Sequence, residues 1–126
     1  MRVLVDTSVW VDHFRRRNEA LVALMALDRA MTHPLVVAEL ACGTPPAPRE
    51  KTLGDIDLLQ AATQASVAEV RELIEREALY RTGCGLVDLV LLASTLLTPN
   101  AALWTLDRRL AELAARFGVK YWPALH

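Results

Sequence analysis

A β-branched apolar run, Met1–Val5, stops abruptly at Asp6, and apolar residues at helical spacing begin directly after it. The run has the length of a strand, and Ser8–Phe14 reads as a short helix. Glu19–Arg29 carries Leu21, Leu24 and Met25 in amphipathic order, and Ala30–His33 reads as a second short strand. Pro34 opens a helix through Cys42, with proline in the first turn and Gly43 just beyond the end. Thr44-Pro45-Pro46-Ala47-Pro48 is a clear loop. Arg49–Gln60 follows as a helix weakened by Gly54, and Ala61–Ala65 as a poor, short strand. Ser66 caps Val67–Tyr80, and Glu69 completes a capping box. Leu86–Leu97 is apolar on every side except for Asp88, the pattern of a helix buried on most faces. Pro99-Asn100 breaks it, Ala101–Thr105 is a strand, Asp107–Phe117 an amphipathic helix ended by Gly118, and Val119–Trp122 a closing strand.

Short strands alternating with longer helices predict an α/β fold with a mainly parallel central sheet. At 126 residues the chain is expected to be a single domain, 1–126, with the proline-rich loop a hinge inside it. A hydrophobic share of 53% against 23% charged residues is that of a globular chain. So small a body cannot hide all of its apolar surface, which predicts a patch covered by a partner or a second copy. Leu86–Leu97 is too short to span a membrane, and no signal peptide is read at the start. Cys42 and Cys84 lie far apart without metal-type spacing and read as reduced residues. The expected location is cytoplasmic.

A net charge of −1 does not favour nucleic acid. The cationic charge is nearly all arginine, and Arg15-Arg16-Arg17 and Arg108-Arg109 are compact clusters. Each reads either as a grip for phosphates or as a solvated, ion-paired face.

The candidate chemistry lies in carboxylates. In an open α/β sheet ligands bind beyond the carboxyl ends of the strands, where the strand order reverses. Asp6 stands at such an end, and Glu39, Asp88 and Asp107 are the acids that can meet it. Asp6 and Asp107 also suit helix N-caps, and Asp88 suits the first turn of its helix. Glu39 is harder to explain structurally, as the only charged residue between Pro34 and Pro48. Crowded carboxylates repel one another, and a hard divalent cation removes that cost. Oxygen-only ligands suit Mg²⁺ or Mn²⁺, and no His or Cys cluster points to zinc. Thr7, Ser8 and Thr105 are supporting hydroxyls or ordinary caps. Asp12 reads as a helix-surface ion-pair partner. His13, His33 and His126 are scattered and receive no catalytic role; Trp10, Trp104 and Trp122 read as core or interface residues.

The chain resembles PIN-domain proteins, and most closely the VapC-type toxin ribonucleases of bacterial toxin–antitoxin pairs. The resemblance rests on Val5-Asp6-Thr7-Ser8-Val9-Trp10, on Val37-Ala38-Glu39-Leu40, on Gly83-Cys84-Gly85-Leu86-Val87-Asp88 running into Leu91-Leu92-Ala93, and on Leu103-Trp104-Thr105-Leu106-Asp107-Arg108-Arg109-Leu110. These segments follow the family's order and spacing over nearly the whole chain. The resemblance implies a three-layer α/β/α PIN-like sandwich with Asp6, Glu39, Asp88 and Asp107 as its acidic site. It implies an Mg²⁺- or Mn²⁺-dependent endoribonuclease, inhibited by a VapB-type antitoxin that wraps it and blocks the site, and usually a homodimer. The pattern departs at Arg109, where many relatives carry a further acid, so one metal or two stays open.

The expected reaction is in-line hydrolysis of an RNA phosphodiester, with Asp6, Asp88 and Asp107 as metal ligands. Glu39 is either a ligand through water or the group that orients the attacking water. Arg15, Arg16, Arg17, Arg108 and Arg109 are candidates for holding RNA or the antitoxin. The competing readings are an inactive PIN-like module that binds RNA or protein, and a metal-dependent phosphatase. Against the phosphatase stands Ser8, where such enzymes usually place a second Asp; against the inactive module stands the presence of all four acids.

Overall fold

The computed structural model describes residues 1–123, and His126 lies outside them. Four parallel strands form one sheet in the order β3-β2-β1-β4: β1 is Arg2–Val5, β2 Ala30–Thr32, β3 Gln60–Ala61 and β4 Ala101–Trp104. The helices between and after them are α1 (Thr7–Arg15), α2 (Glu19–Ala26), α3 (Pro34–Cys42), α4 (Arg49–Asp57), α5 (Val67–Glu77), α6 (Leu86–Leu97) and α7 (Arg108–Arg116). From β1 the chain steps outward through β2 to β3, then returns past β1 to β4. Right-handed crossovers running in opposite directions cover opposite faces of a sheet. The α/β/α sandwich follows from that rule, with α6 packed on β4 and against α5 and α7, and α3 between α1 and α4.

Burial on both faces explains why β1 reads as an unbroken apolar run rather than an alternating one. Val3, Leu4 and Val5 are fully buried, as are Val9, Leu91, Leu92 and Leu103 around them. Each such side chain contributes about 1.5–3 kcal/mol relative to exposure. Helix α6 buries every residue from Leu89 to Ser94, and Thr95 with them.

The boundaries depart from the sequence reading where backbone geometry intervenes. The helix expected over Glu19–Arg29 ends at Ala26, and Asp28 turns the chain at φ 56°. The helix expected through Tyr80 ends at Glu77, because Ala78 adopts the left-handed conformation and Leu79–Arg81 tightens into a 3₁₀ turn. The strand expected over Ala61–Ala65 is the pair Gln60–Ala61, shortening the preceding helix to Asp57. The closing strand Val119–Trp122 reduces to a single bridge of Lys120 to Leu103. Trp10 and Trp104 are core residues, whereas Trp122 is 71% exposed beneath Lys120 Nζ.

His33, given no role by its sequence context, is a buried connector. Leu35 N donates to its Nδ1 at 3.0 Å, which places the ring proton on Nε2, 3.2 Å from Ser94 Oγ. Ser94 Oγ also accepts from Ala65 N at 3.1 Å. The imidazole thus caps α3 and joins its start to α6 and to the approach to α5. Burial lowers its pKa from the ordinary 6.5. Stability tied to the neutral ring is therefore present above 6.5 and lost as pH falls through the lower folded value. Urea midpoints at about pH 7.5 and about pH 5 are expected to fall further in the wild type than in His33→Asn, whose cap oxygen does not titrate. His33→Ala is expected to lose about 1–3 kcal/mol near neutrality.

Candidate active site

The strand order reverses between β1 and β4, and the two chains leave that point side by side. Val5 pairs with Trp104, and Asp6 N donates to Trp104 O at 2.9 Å. Asp6, 5% exposed, is therefore the first residue beyond the sheet at its switch point. Its Oδ2 accepts from Ser8 Oγ at 2.6 Å and from Thr105 Oγ1 at 2.7 Å. Ser8 Oγ in turn accepts from Leu106 N at 2.9 Å, and Thr105 Oγ1 from Asp107 N at 3.0 Å. The hydroxyls lace the start of α1 to the segment that leads into α7. Asp107 caps α7 through a bond from Leu110 N to Oδ1 at 3.0 Å.

Glu39 is exposed on α3, and Thr7 Oγ1 donates to its Oε1 at 2.7 Å. Asp88 lies half-buried in the first turn of α6. Its pKa is raised above 3.8, first by burial, then by the charges of Asp6 and Asp107 and more weakly by Glu39; a backbone hydrogen bond from Gly85 acts the other way. The four predicted acids therefore share one field, although β1, α3, α6 and β4 deliver them from separate parts of the chain.

Among the described residues no lysine or arginine forms a salt bridge with any of the four. Nor are three of them drawn together at ligand spacing. Two hold hydroxyl donors instead, and among the described residues no donor reaches Asp6 Oδ1. An all-oxygen donor set without a cationic partner among the described residues suits a hard divalent cation. The capping functions of Asp6 and Asp107 are real and coexist with this arrangement.

The arginine clusters divide. Arg17 pairs with Glu19 at 2.7 Å and Arg108 with Glu112 at 3.2 Å, all on the surface, and Arg16 is exposed at the end of α1. Arg15 lines an open cleft of about 540 Å³ with Glu39, Phe14 and Pro45. Arg109 reaches the loop ahead of α6, where its Nη1 lies 3.4 Å from Gly83 O. Asp12 does not pair with a cation among the described residues: Arg15 lines the cleft, Arg16 leaves the helix in extended backbone, and Asp12 Oδ2 accepts weakly from Asn18 Nδ2 at 3.4 Å. Sequence reasoning missed the contact of Arg109 with Gly83, whose signal was a glycine ahead of a helix whose cap residue is Gly85.

A carboxyl whose folded pKa is raised contributes stability below its unfolded value and loses it as pH rises through the folded one. Asp88→Asn is therefore expected to raise the melting temperature of the metal-free protein near neutrality, and the gain to vanish as pH falls below about 4. Thermal unfolding of both proteins across pH checks this.

The PIN domain family model matches residues 3–116. Ribonuclease VapC32 of Mycobacterium tuberculosis, in strains CDC 1551 / Oshkosh and H37Rv, is 43% identical over 120 residues, covering 93% of this chain and 94% of the relative. Among solved structures, VapBC-1 from nontypeable Haemophilus influenzae superposes with a TM-score of 0.63 over 98% of each chain. At 19% identity that likeness is one of fold.

Proposed function

The chain belongs to the PIN-domain family, and from that premise we propose that it is the toxin of a VapBC-type toxin–antitoxin pair, an endoribonuclease that hydrolyses RNA phosphodiester bonds. The observation that carries the reading is the meeting of Asp6, Glu39, Asp88 and Asp107 at the sheet's switch point, with no salt bridge to any of them among the described residues. An inactive module would have no need of so costly a cluster.

Asp6, Asp88 and Asp107 would hold Mg²⁺ or Mn²⁺. A divalent cation there supplies charge neutralisation at the phosphate and a lowered pKa for water. The chain's own residues do the rest. Ser8 and Thr105 fix Asp6 through Oδ2 and leave Oδ1 for binding. Thr7 holds Glu39 through Oε1, so that its other oxygen orients the attacking water and takes its proton. The water oxygen bonds to phosphorus as the opposite bond to the ribose oxygen breaks, and that oxygen leaves with the bonding pair and takes a proton from solvent. Arg15, across the cleft from Glu39, is placed to hold a flanking phosphate.

The partners of this reading are RNA, a VapB-type antitoxin that covers the acids, and a second copy of the chain. For the homodimer, the α5–α6 groove leaves Leu96 and Leu97 at 38% and 43% exposure beside Leu73 and Ala93. No helix among the described residues is long and apolar enough to cross a membrane, and the reading takes the protein to work in the cytoplasm.

Purified, antitoxin-free protein is expected to cut RNA in Mg²⁺ or Mn²⁺ and to stop in EDTA. Asp88→Asn is expected to slow cleavage about a hundredfold or more, since the charge stabilisation at stake is several kcal/mol. Cutting that survives in the variant, or no cutting of any RNA by a metal-loaded protein, refutes the assignment. Light scattering is expected to show a dimer in the wild type and a monomer in Leu97→Asp; a wild-type monomer refutes the dimer alone.

A further inference from the structure

Helix α6 carries Asp88 in its first turn, yet no side-chain hydrogen bond caps that end. Its cap residue is Gly85, which has no side chain to bond the free amides. Gly83, two residues earlier, stands at φ 80°. Arg109, in the first turn of α7, lies across it: a Cβ added to Gly83 would meet Arg109 Cδ at 2.9 Å, Nη1 at 3.0 Å and Cζ at 3.1 Å. The same guanidinium approaches Gly83 O at 3.4 Å. Arg109 is itself exposed, as is Arg108 beside it, but Arg108 pairs with Glu112 on its own helix rather than with the loop.

We propose that Arg109 is a positioning residue, a clamp whose guanidinium lies on Gly83 and so fixes the start of α6, and with it Asp88, relative to Asp107 at the start of α7. The inference rests on the metal-site reading above and deepens it: the separation of two candidate ligands is set by an arginine that is not itself a ligand. The simpler roles for Arg109 are phosphate binding and electrostatic screening of the acids. Either role would turn the guanidinium to the solvent or to the acids, whereas here, though exposed, it lies against the Gly83 backbone. A planar guanidinium suits this close apposition, and an ammonium does not.

Cys84 sits between Gly83 and Gly85 and reports on the clamp. It is partly buried, and the charges of Asp88, Asp107 and Arg109 all reach its thiol. Arg109 lowers the thiol pKa, so loss of its charge alone would slow alkylation. Faster alkylation therefore reports an opened loop.

The test uses the full chain with Cys42→Ser, which leaves Cys84 as its sole thiol. Alkylation rates are measured without metal, and Mn²⁺ affinity by titration calorimetry. Arg109→Ala is expected to speed Cys84 alkylation about tenfold and to weaken Mn²⁺ binding about tenfold. Arg109→Lys is expected to reproduce both changes, because it keeps the charge without the plane. An unchanged thiol rate overturns the clamp, as does tighter Mn²⁺ binding in Arg109→Ala or wild-type behaviour of Arg109→Lys. A rise in KM for RNA with thiol rate and Mn²⁺ affinity unchanged also overturns it, in favour of phosphate binding. Wild-type protein that binds no Mn²⁺ refutes the metal reading separately, while the alkylation rate still decides the clamp.

Discussion

The pairing of β1 with β4 is the constraint on which the rest depends. Val3, Leu4 and Val5 are buried without remainder and pair with Ala102, Leu103 and Trp104. That register brings Asp6 beside Thr105, and the 2.7 Å bond between them links residues 99 apart in sequence. A slip of one residue would turn every side chain of β1 to the opposite face and carry Asp6 away from its hydroxyl partners. Apolar packing thus specifies where a charge stands.

Like charges brought together in this way need compensation, and the structure supplies it locally. Asp6 and Asp107 each accept backbone amides at a helix start, where the dipole favours a negative group. Ser8, Thr105 and Thr7 add hydroxyl donors. Asp88 has no such side-chain or cap donor, and burial and three acids raise its proton affinity.

Much of this was legible from the residues alone. Pro34–Cys42 and Leu86–Leu97 were readable to their ends because proline, glycine and the apolar pattern agree there. The ends of α2 and α5 were not, since Asp28 and Ala78 adopt left-handed conformations with no glycine to announce them. β3 and the bridge at Lys120 are set by neighbours in space rather than by their own composition. That Asp6, Asp88 and Asp107 lie along one edge was foreseeable from their places beside strand and helix ends, whereas Glu39, inside α3, stood out only as the lone charge of an apolar helix. The hydroxyl lacing, the His33–Ser94 link and the contact of Arg109 with Gly83 were not, because each joins residues whose proximity exists only after folding.

The long sequence separation between β1 and β4 has a bearing on synthesis. Strand β1 leaves the ribosome before every other element described, but its neighbour β4 is made roughly 5–20 s later at ~5–20 residues per second. Until then Asp6 has no Thr105 to hold it, and Asp107 does not yet exist. A partly translated chain therefore carries some of the acids without their arrangement. The centre assembles only after β4 has been made, so a chain translated short of that strand holds acids without the arrangement that hydrolysis needs.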